Sequence, residues 1–250
     1  MSRARRVHGA RPAATLLALL VATTAGCAFL PDPPAPVPTS VVPPTAQVPV
    51  AAPDGSRLSP DGFDAAQRMA VRIRNIGCGG LSTGSGFALD EHTLVTNRHV
   101  VTDSAELQLS TYDGRDVGAE AASTAGLADL AVVRTVDALP AAPVLAETDP
   151  QVGDPVTVVG YPLGRQLTVT DGRVVAAVTD PLHENLGEVL VTDAPVEPGS
   201  SGSAARDADG RVIGVVYAKN ADGLSFVVPV STLRAMLNDD TAFAPAPTCD

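Results

Sequence analysis

One short loop carries the residue types that most directly suggest chemistry. The segment Glu197–Ser203 reads EPGSSGS, and its glycines allow a sharp turn that exposes the hydroxyl of Ser201. A serine hydroxyl is a weak nucleophile unless a base takes its proton and an acid orients that base. Both types occur upstream, with His99 in Thr-Asn-Arg-His-Val and Asp129 in Leu-Ala-Asp-Leu-Ala. The sequence therefore predicts nucleophilic catalysis by Ser201, with His99 as base and Asp129 as acid.

Neighbouring residues of the same types fit these roles less well. Ser200 and Ser203 flank Ser201, but only Ser201 has the glycine spacing that places backbone amides on both sides of the attack position. His99 follows an apolar, strand-like segment that can hold its ring, unlike the other three histidines, His8, His92 and His183. A polar glycine–serine turn and a buried structural histidine remain the alternative interpretations of Ser201 and His99.

Asp129 has a different kind of support, because it is the only carboxylate in the apolar run 127–133. Burying a carboxylate without a partner costs free energy, and His99 can supply that partner. Asp193 is a weaker rival in the segment that approaches the Ser201 loop. Three further aspartates lie in polar, turn-like contexts: Asp103, Asp113 and Asp116.

The potential ligands do not form any common metal or nucleotide site. Three cysteines and four histidines show no Cys-x-x-Cys or His-x-x-x-His spacing, so no metal site is expected. The glycine-rich segment 82–86 lacks the lysine of a phosphate-binding loop, and no nucleic-acid-binding module is recognisable. We therefore expect no cofactor and no nucleic-acid partner.

The N-terminal segment, residues 1–26, has the composition of an export signal. Four arginines precede the apolar run 16–21, and small residues follow before Cys27. The Ala-Gly-Cys junction resembles a bacterial lipobox, in which the cysteine is lipidated and becomes the mature N-terminus. An ordinary signal peptide remains the alternative, and a twin-arginine signal fits poorly.

The next segment, residues 27–61, is predicted to be an extended extracellular spacer. Ten of the thirty residues 31–60 are proline, a composition that favours semi-rigid, extended chain. Removal of residues 1–26 leaves 13 basic and 28 acidic side chains, a net charge of −15. Such a chain does not bind anionic lipid through its overall field, so attachment to a membrane requires a lipid on Cys27.

The remainder of the chain has the pattern of a β protein. Short apolar or alternating segments, separated by turn residues, favour a barrel or a sandwich of antiparallel strands. They include residues 70–74, 86–89, 93–96, 106–110, 155–160, 172–178, 189–192, 211–217 and 224–228. One helix is predicted over 231–237, with Ser231 as its N-cap.

Seven segments, in the same order, resemble motifs of trypsin-like (chymotrypsin-fold) serine peptidases of the HtrA/Deg-related, actinobacterial type. They are residues 83–87, 96–100, 129–132, 160–164, 192–194, 198–202 and 225–229. The order His, Asp, Ser is also the one that chymotrypsin-fold proteases use. The resemblance implies an all-β fold of two packed six-stranded antiparallel β-barrels over residues 62–240, a C-terminal helix and a tail, 241–250.

The resemblance also implies the roles of the site residues. Ser201 attacks a peptide carbonyl, His99 transfers the proton, Asp129 holds the imidazole, and the amides of Gly199 and Ser201 bind the oxyanion. Proteins or peptides are then the substrates, in quality control of envelope proteins or in specific processing. The alternative is a catalytically silent, protease-like lipoprotein that binds extended peptides; the oligomeric state is not indicated.

The chain departs from the family pattern at two positions near the site. Ser203 stands where the family has a second glycine, and Arg98 stands where a small residue precedes the histidine. Neither change removes an atom of the predicted triad. Because the sequence stops soon after its final helix, we expect no PDZ module.

The substrate pocket is also predicted from the resemblance. In trypsin-like enzymes the residue six positions before the nucleophile lies at the base of this pocket, and here it is Pro195. A pocket formed by Pro195 and the surrounding Ala194, Val196 and Tyr217 is apolar and has no carboxylate to select arginine or lysine. We expect a preference for small or medium aliphatic residues.

The remaining cysteines, Cys78 and Cys249, form an even pair once Cys27 carries lipid. In an oxidising compartment such a pair predicts a disulfide. Two free thiols, or a bridge to another chain, are the alternatives.

Overall fold

The computed structural model describes residues 62–182 and 187–249, which all belong to one compact unit. The signal, the spacer, Cys27 and His183 lie outside these residues. The described α-helices are α1 (Ala65–Met69), α2 (Arg98–Val101) and α3 (Val230–Leu237), and a 3-10 helix spans Pro162–Gly164. The strands are β1 (Ala70–Gly77), β2 (Gly80–Asp90), β3 (Thr93–Thr96), β4 (Ser104–Thr111), β5 (Asp116–Val117), β6 (Ala119–Ala125), β7 (Ala131–Thr135), β8 (Pro155–Gly160), β9 (Thr168–Thr179), β10 (Glu188–Thr192), β11 (Ala204–Arg206), β12 (Val212–Lys219), β13 (Ser225–Pro229) and β14 (Phe243–Pro245).

The C-terminal half forms a closed six-stranded barrel, in the order β10-β13-β12-β11-β8-β9. All of its pairings are antiparallel, as the turn-separated strand pattern predicts. Its interior is filled by small and branched side chains such as Val156, Leu190 and Val227. The all-β class and the closed second barrel are therefore confirmed.

The N-terminal half differs from the six-stranded barrel that was expected. It is an eight-stranded sheet in the order β14-β6-β7-β3-β2-β1-β4-β5, without a closing pair between the described strands. Two short strands at the edges of this sheet raise the number of strands from six to eight: β5, which has two residues, and β14, which the C-terminal tail forms. Within the predicted tail, Phe243–Pro245 pair with β6.

Side-chain alternation explains why the predicted strands form. In β1, Val71 and Ile73 are fully buried, whereas the alternate residues Arg72 and Arg74 are part-buried and exposed, respectively. The register pairs Val71 with Gly86 and Ile73 with Gly84, so β1 lies directly against β2. Strand β2 then continues into β3, which leads to the first predicted site residue.

Helix α3 is present, but its capping differs from the expectation. Its N-cap residue is Pro229, and Ser231 lies within the first turn. The carboxylate of Asp149 replaces a local cap: Oδ1 accepts from the Ser231 N–H at 2.9 Å and Oδ2 from the Ser231 hydroxyl at 2.5 Å. The sequence could not indicate this cap, because Asp149 comes from a distant loop. Leu233 anchors the helix in the core.

The C-terminal tail is attached to the first sheet beyond β14. The Ala246 N–H donates to the Ala122 carbonyl at 2.9 Å, and the Cys249 N–H donates to the Ser104 carbonyl at 3.2 Å. A disulfide joins Cys249 to Cys78, which follows β1. Within the part of the chain that the structure describes, no helix has the length and apolarity to cross a membrane.

Candidate active site

Strand β3 and helix α2 position the predicted base. Strand β3 ends at Thr96 and α2 begins at Arg98, so His99 lies in the first turn of a four-residue helix. Asn97, at the junction, is fully buried and its side-chain amide donates to the Asp129 carbonyl oxygen at 2.7 Å. This bond ties the loop that carries Asp129 to the residue before α2.

The structure brings His99 and Asp129 together through two hydrogen bonds. The imidazole Nδ1 lies 2.6 Å from Asp129 Oδ2, and the backbone N–H of His99 donates to Asp129 Oδ1 at 3.0 Å. The carboxylate is 7% exposed and the imidazole 49% exposed. An acceptor at Nδ1 selects the tautomer whose proton is on Nδ1, which leaves Nε2 free to accept a proton.

The Ser201 loop consists of two consecutive turns that depend on glycine. The Ser200 N–H donates to the Glu197 carbonyl at 2.8 Å with Gly199 at φ +95°, and the Ser203 N–H donates to the Ser200 carbonyl at 3.0 Å with Gly202 at φ +87°. A positive φ at the third residue is typical of type II turns. A side chain on Gly202 would also lie only 2.0 Å from the Ser85 carbonyl oxygen.

This geometry distinguishes Ser201 from its two neighbours. Ser201 is partly exposed, whereas Ser200 is 5% exposed and Ser203 is fully buried. The N–H groups of Gly199 and Ser201 donate to no acceptor within residues 62–182 and 187–249. The loop thus presents one accessible hydroxyl beside two unused backbone donors.

Strand β2 connects the Ser201 loop with the segment that leads to His99. The Ser85 N–H donates to the Ser201 carbonyl at 2.7 Å, and the Thr96 hydroxyl donates to the Ser85 carbonyl at 2.6 Å. Over the described ranges, however, the Ser201 hydroxyl is hydrogen-bonded to neither His99 nor Asp129. Catalytic hydrogen bonds are often long without substrate, so this arrangement is compatible with a triad.

The rival residues have other partners. Asp193 is exposed, and its Oδ1 accepts from the Arg173 N–H at 2.6 Å. The His92 ring lies in the β2–β3 turn, with Nδ1 3.2 Å from the Thr135 carbonyl oxygen. For the described residues, no group of three or more His, Cys, Asp or Glu side chains could hold a metal ion.

A cavity of about 180 Å³ lies beside Ser201, and its lining differs from the expected pocket. It is lined by Val196, Glu197, Pro198, Ser200, Ser201, Val216, Ala218 and Lys219. Val216 and Ala218 of β12 line the cavity, whereas Tyr217, at the point where the register with β13 shifts, does not. The Tyr217 hydroxyl instead donates to Asp180 at 2.8 Å.

Of the other predicted pocket residues, Val196 lines this cavity, whereas Ala194 and Pro195 do not. Ala194 is fully buried in the barrel core, and Pro195 is exposed. Two residues of the cavity, Glu197 and Lys219, were not predicted, and their side chains form an ion pair at 2.7 Å. Their separation of 22 residues gave no local signal of this contact.

Comparison with known proteins identifies similar chains. A family model described as the trypsin-like peptidase domain matches residues 84–215, just over half of the chain. HhoA of Synechocystis sp. is 35% identical over 165 residues, covering 62% of this chain and 42% of that protein. The serine protease Do-like HtrA of Bacillus subtilis is 32% identical over 175 residues, covering 63% and 39%. The chain thus spans about two fifths of the length of these relatives.

A solved structure shares the same fold. The active form of the Rv3671c protease from M. tuberculosis is 27% identical, with a TM-score of 0.66. The match covers 74% of this chain and 87% of the solved one. The similarity therefore extends over both the first sheet and the closed barrel.

Proposed function

The chain belongs to the trypsin-like peptidases, and we propose that it is a serine endopeptidase with His99, Asp129 and Ser201 as catalytic residues. The observation that carries this proposal is the hydrogen bond of 2.6 Å between His99 Nδ1 and the buried Asp129 carboxylate. It leaves Nε2 as the basic atom of an exposed imidazole. Ser201 is partly exposed whereas Ser200 and Ser203 are buried, which supports the choice of nucleophile.

The proposed mechanism follows from these positions. Ser201 Oγ attacks the carbonyl carbon of a peptide bond as His99 Nε2 takes the hydroxyl proton, and Asp129 stabilises the imidazolium. The tetrahedral oxyanion accepts hydrogen bonds from the amides of Gly199 and Ser201. His99 then donates its proton to the leaving amine, and water, activated by the same imidazole, hydrolyses the acyl-enzyme. Each oxyanion donor contributes typically about 3–4 kcal/mol.

Covalent labelling tests the proposal and separates an enzyme from a peptide-binding protein. A fluorophosphonate probe should label the wild type on Ser201, because a binding protein has no activated serine. Ser201→Ala and His99→Ala should each abolish labelling and hydrolysis, and the double variant should be hardly worse than either one, since the triad acts as a unit.

Ser203→Ala is the matched control for the labelling experiment, because it removes a buried hydroxyl from the same loop. It should retain labelling and hydrolysis. Full activity in Ser201→Ala, or loss confined to Ser203→Ala, would overturn the assignment.

The substrates proposed for this site are proteins or peptides with an aliphatic residue at the cleaved bond. The cavity beside Ser201 supports this, because Val196, Val216 and Ala218 give it an apolar wall. The Glu197–Lys219 ion pair leaves no unpaired charge at the pocket. Quality control of envelope proteins, or specific processing, is the proposed biological role.

We further propose that the protein is exported and attached to the membrane through a lipid on Cys27. The arginine-rich and apolar segments of residues 1–26, the Ala-Gly-Cys junction and the proline-rich spacer support this. Globomycin should cause the precursor to accumulate, and Cys27→Ser should release or mislocalise the protein. Complete recovery of the wild type in the medium, cleaved away from Cys27, would contradict lipidation.

A further inference from the structure

Ser85, in the middle of β2, has a buried hydroxyl that contacts the nucleophile loop. Its side chain is fully buried in the first sheet. Its Oγ donates to the Gly199 carbonyl oxygen at 2.8 Å and accepts from the Tyr161 N–H at 2.8 Å. The hydroxyl therefore joins the first sheet to two loops of the second barrel.

The carbonyl groups of the nucleophile loop show what this contact does. Four consecutive carbonyls, those of residues 198–201, each accept one hydrogen bond. The donors are, in order, the Leu163 N–H at 2.6 Å, the Ser85 hydroxyl at 2.8 Å, the Ser203 N–H at 3.0 Å and the Ser85 N–H at 2.7 Å. Of these four donors, only the Ser85 hydroxyl belongs to a side chain.

Fixing these carbonyls also fixes the amide directions, because a trans peptide is planar and its N–H points opposite to its C=O. The bond from Leu163 to the Pro198 carbonyl turns the Gly199 N–H away from Leu163. The bond from the Ser203 N–H to the Ser200 carbonyl likewise turns the Ser201 N–H away from Ser203. The Gly199–Ser200 peptide lies between these two planes. The Ser85 hydroxyl holds the carbonyl of this peptide, and the N–H of the same peptide, that of Ser200, donates to the Glu197 carbonyl at 2.8 Å.

We propose that Ser85 is a positioning residue for the oxyanion hole: its hydroxyl holds the Gly199–Ser200 peptide so that the Gly199 and Ser201 amides converge on one point. This inference rests on the proposed function. Gly199 has access to backbone conformations that other residues do not, so this peptide can rotate when nothing holds its carbonyl. Without the hydroxyl, the buried carbonyl has no donor and the two amides no longer share one direction.

The test compares Ser85→Ala with Thr135→Val. Thr135 is a matched control, since it is 3% exposed in the same sheet and its hydroxyl donates to a backbone carbonyl, that of Asp137, at 2.9 Å. We expect Ser85→Ala to lower kcat and the rate of fluorophosphonate labelling by roughly 10- to 100-fold, because small misplacements of catalytic groups have effects of that size. KM should change less than about threefold, since ground-state binding does not use the oxyanion hole. Thr135→Val should keep the wild-type kcat.

Two further measurements separate positioning from a merely structural role. A peptide aldehyde, whose adduct with Ser201 has an oxyanion, should lose affinity by the same factor as kcat/KM. Ser85→Cys, which keeps a weaker donor, should have a kcat between those of the wild type and Ser85→Ala. If kcat instead follows the midpoint of thermal unfolding across these variants, the role is structural and the proposal is wrong.

The outcomes distinguish the two proposals. If the wild type neither hydrolyses peptides nor reacts with the probe, the endopeptidase function fails, and the role of Ser85 fails with it. If the wild type is active and Ser85→Ala retains its kcat and its aldehyde affinity, only the role of Ser85 is overturned.

Discussion

Three serines lie within four positions of the nucleophile loop, and burial assigns them different roles. Ser201 is partly exposed, whereas Ser200 is 5% exposed and its Oγ accepts from the Glu197 N–H at 3.3 Å. Ser203 is fully buried, and its hydroxyl has no hydrogen-bond partner in the described part of the chain. The Ser203 hydroxyl lies against Gly160, where a Cβ would be 1.8 Å away. Loop geometry therefore makes one hydroxyl available for chemistry and removes two from solvent.

Tyr161 is a second residue whose environment has a measurable consequence. Its ring packs among Ala66, Ala70 and Val159, and its hydroxyl is buried without a hydrogen-bond partner among the residues described. Burial raises the pKa of Tyr161 to about 12, because the phenolate would lose its hydration. The unfolded chain has the ordinary tyrosine pKa, about 10.

This difference predicts a loss of stability at alkaline pH. Neutral Tyr161 contributes fully to the free energy of unfolding below about pH 10. This contribution is lost as the pH rises through about 12, because the tyrosine ionises first in the unfolded state. Urea unfolding of the wild type and of Tyr161→Phe should therefore diverge between pH 8 and 11.5, with the wild type losing up to about 2 kcal/mol more. Parallel stability curves over this range would show that Tyr161 is not protected from ionisation.

At the scale of elements, the register shift in β12 at Tyr217 accompanies a division of its side chains between the cavity and the core. Val216 and Ala218 line the cavity beside Ser201, whereas Tyr217, between them, is 4% exposed in the core. The apolar run of this strand predicted its existence but not its orientation. Because a shift of one residue reverses the faces of a strand, the pocket could not be assigned from position in the sequence alone.

The lining of this cavity predicts the cleavage preference. Profiling with a peptide library should return small or medium aliphatic residues at the cleaved position. Ala218→Leu, which fills the cavity, should lower kcat/KM for a leucine-type substrate relative to an alanine-type one by about tenfold or more. Tyr217→Phe, on the opposite face of β12, should leave the preference unchanged. A wild-type preference for arginine or lysine would contradict the pocket.

Local patterns predicted the elements, but not the contacts between them. Alternation predicted β1, an apolar run predicted β12, and a helical spacing predicted α3. The bonds from Ser85 to Gly199 and from Asn97 to Asp129 join positions 114 and 32 residues apart, so no local pattern indicates them. For the same reason the cap that Asp149 provides for α3 was not predictable.

At the scale of the whole molecule, the C-terminal tail returns from the barrel to the first sheet. Strand β14 pairs with β6, the Asp103 N–H donates to the Pro247 carbonyl at 3.0 Å, and the disulfide follows. Asp103 lies two residues after α2, the helix of His99, and its carbonyl accepts from the Cys78 N–H at 3.1 Å. Both ends of the disulfide therefore contact the segment that follows α2.

The disulfide is expected to be a major source of stability, because it joins residues separated by 171 positions. In the chain-entropy model, closing a loop of this length restricts the unfolded state by about 5 kcal/mol, an upper value because the denatured chain is already compact. Cys78→Ser, Cys249→Ser and the double variant should lower the free energy of unfolding in urea by the same amount, since each breaks the same bond. Mass mapping without reduction should recover one peptide pair containing Cys78 and Cys249. Free thiols at both positions in protein isolated from the envelope, or single variants that differ from the double variant, would contradict this prediction.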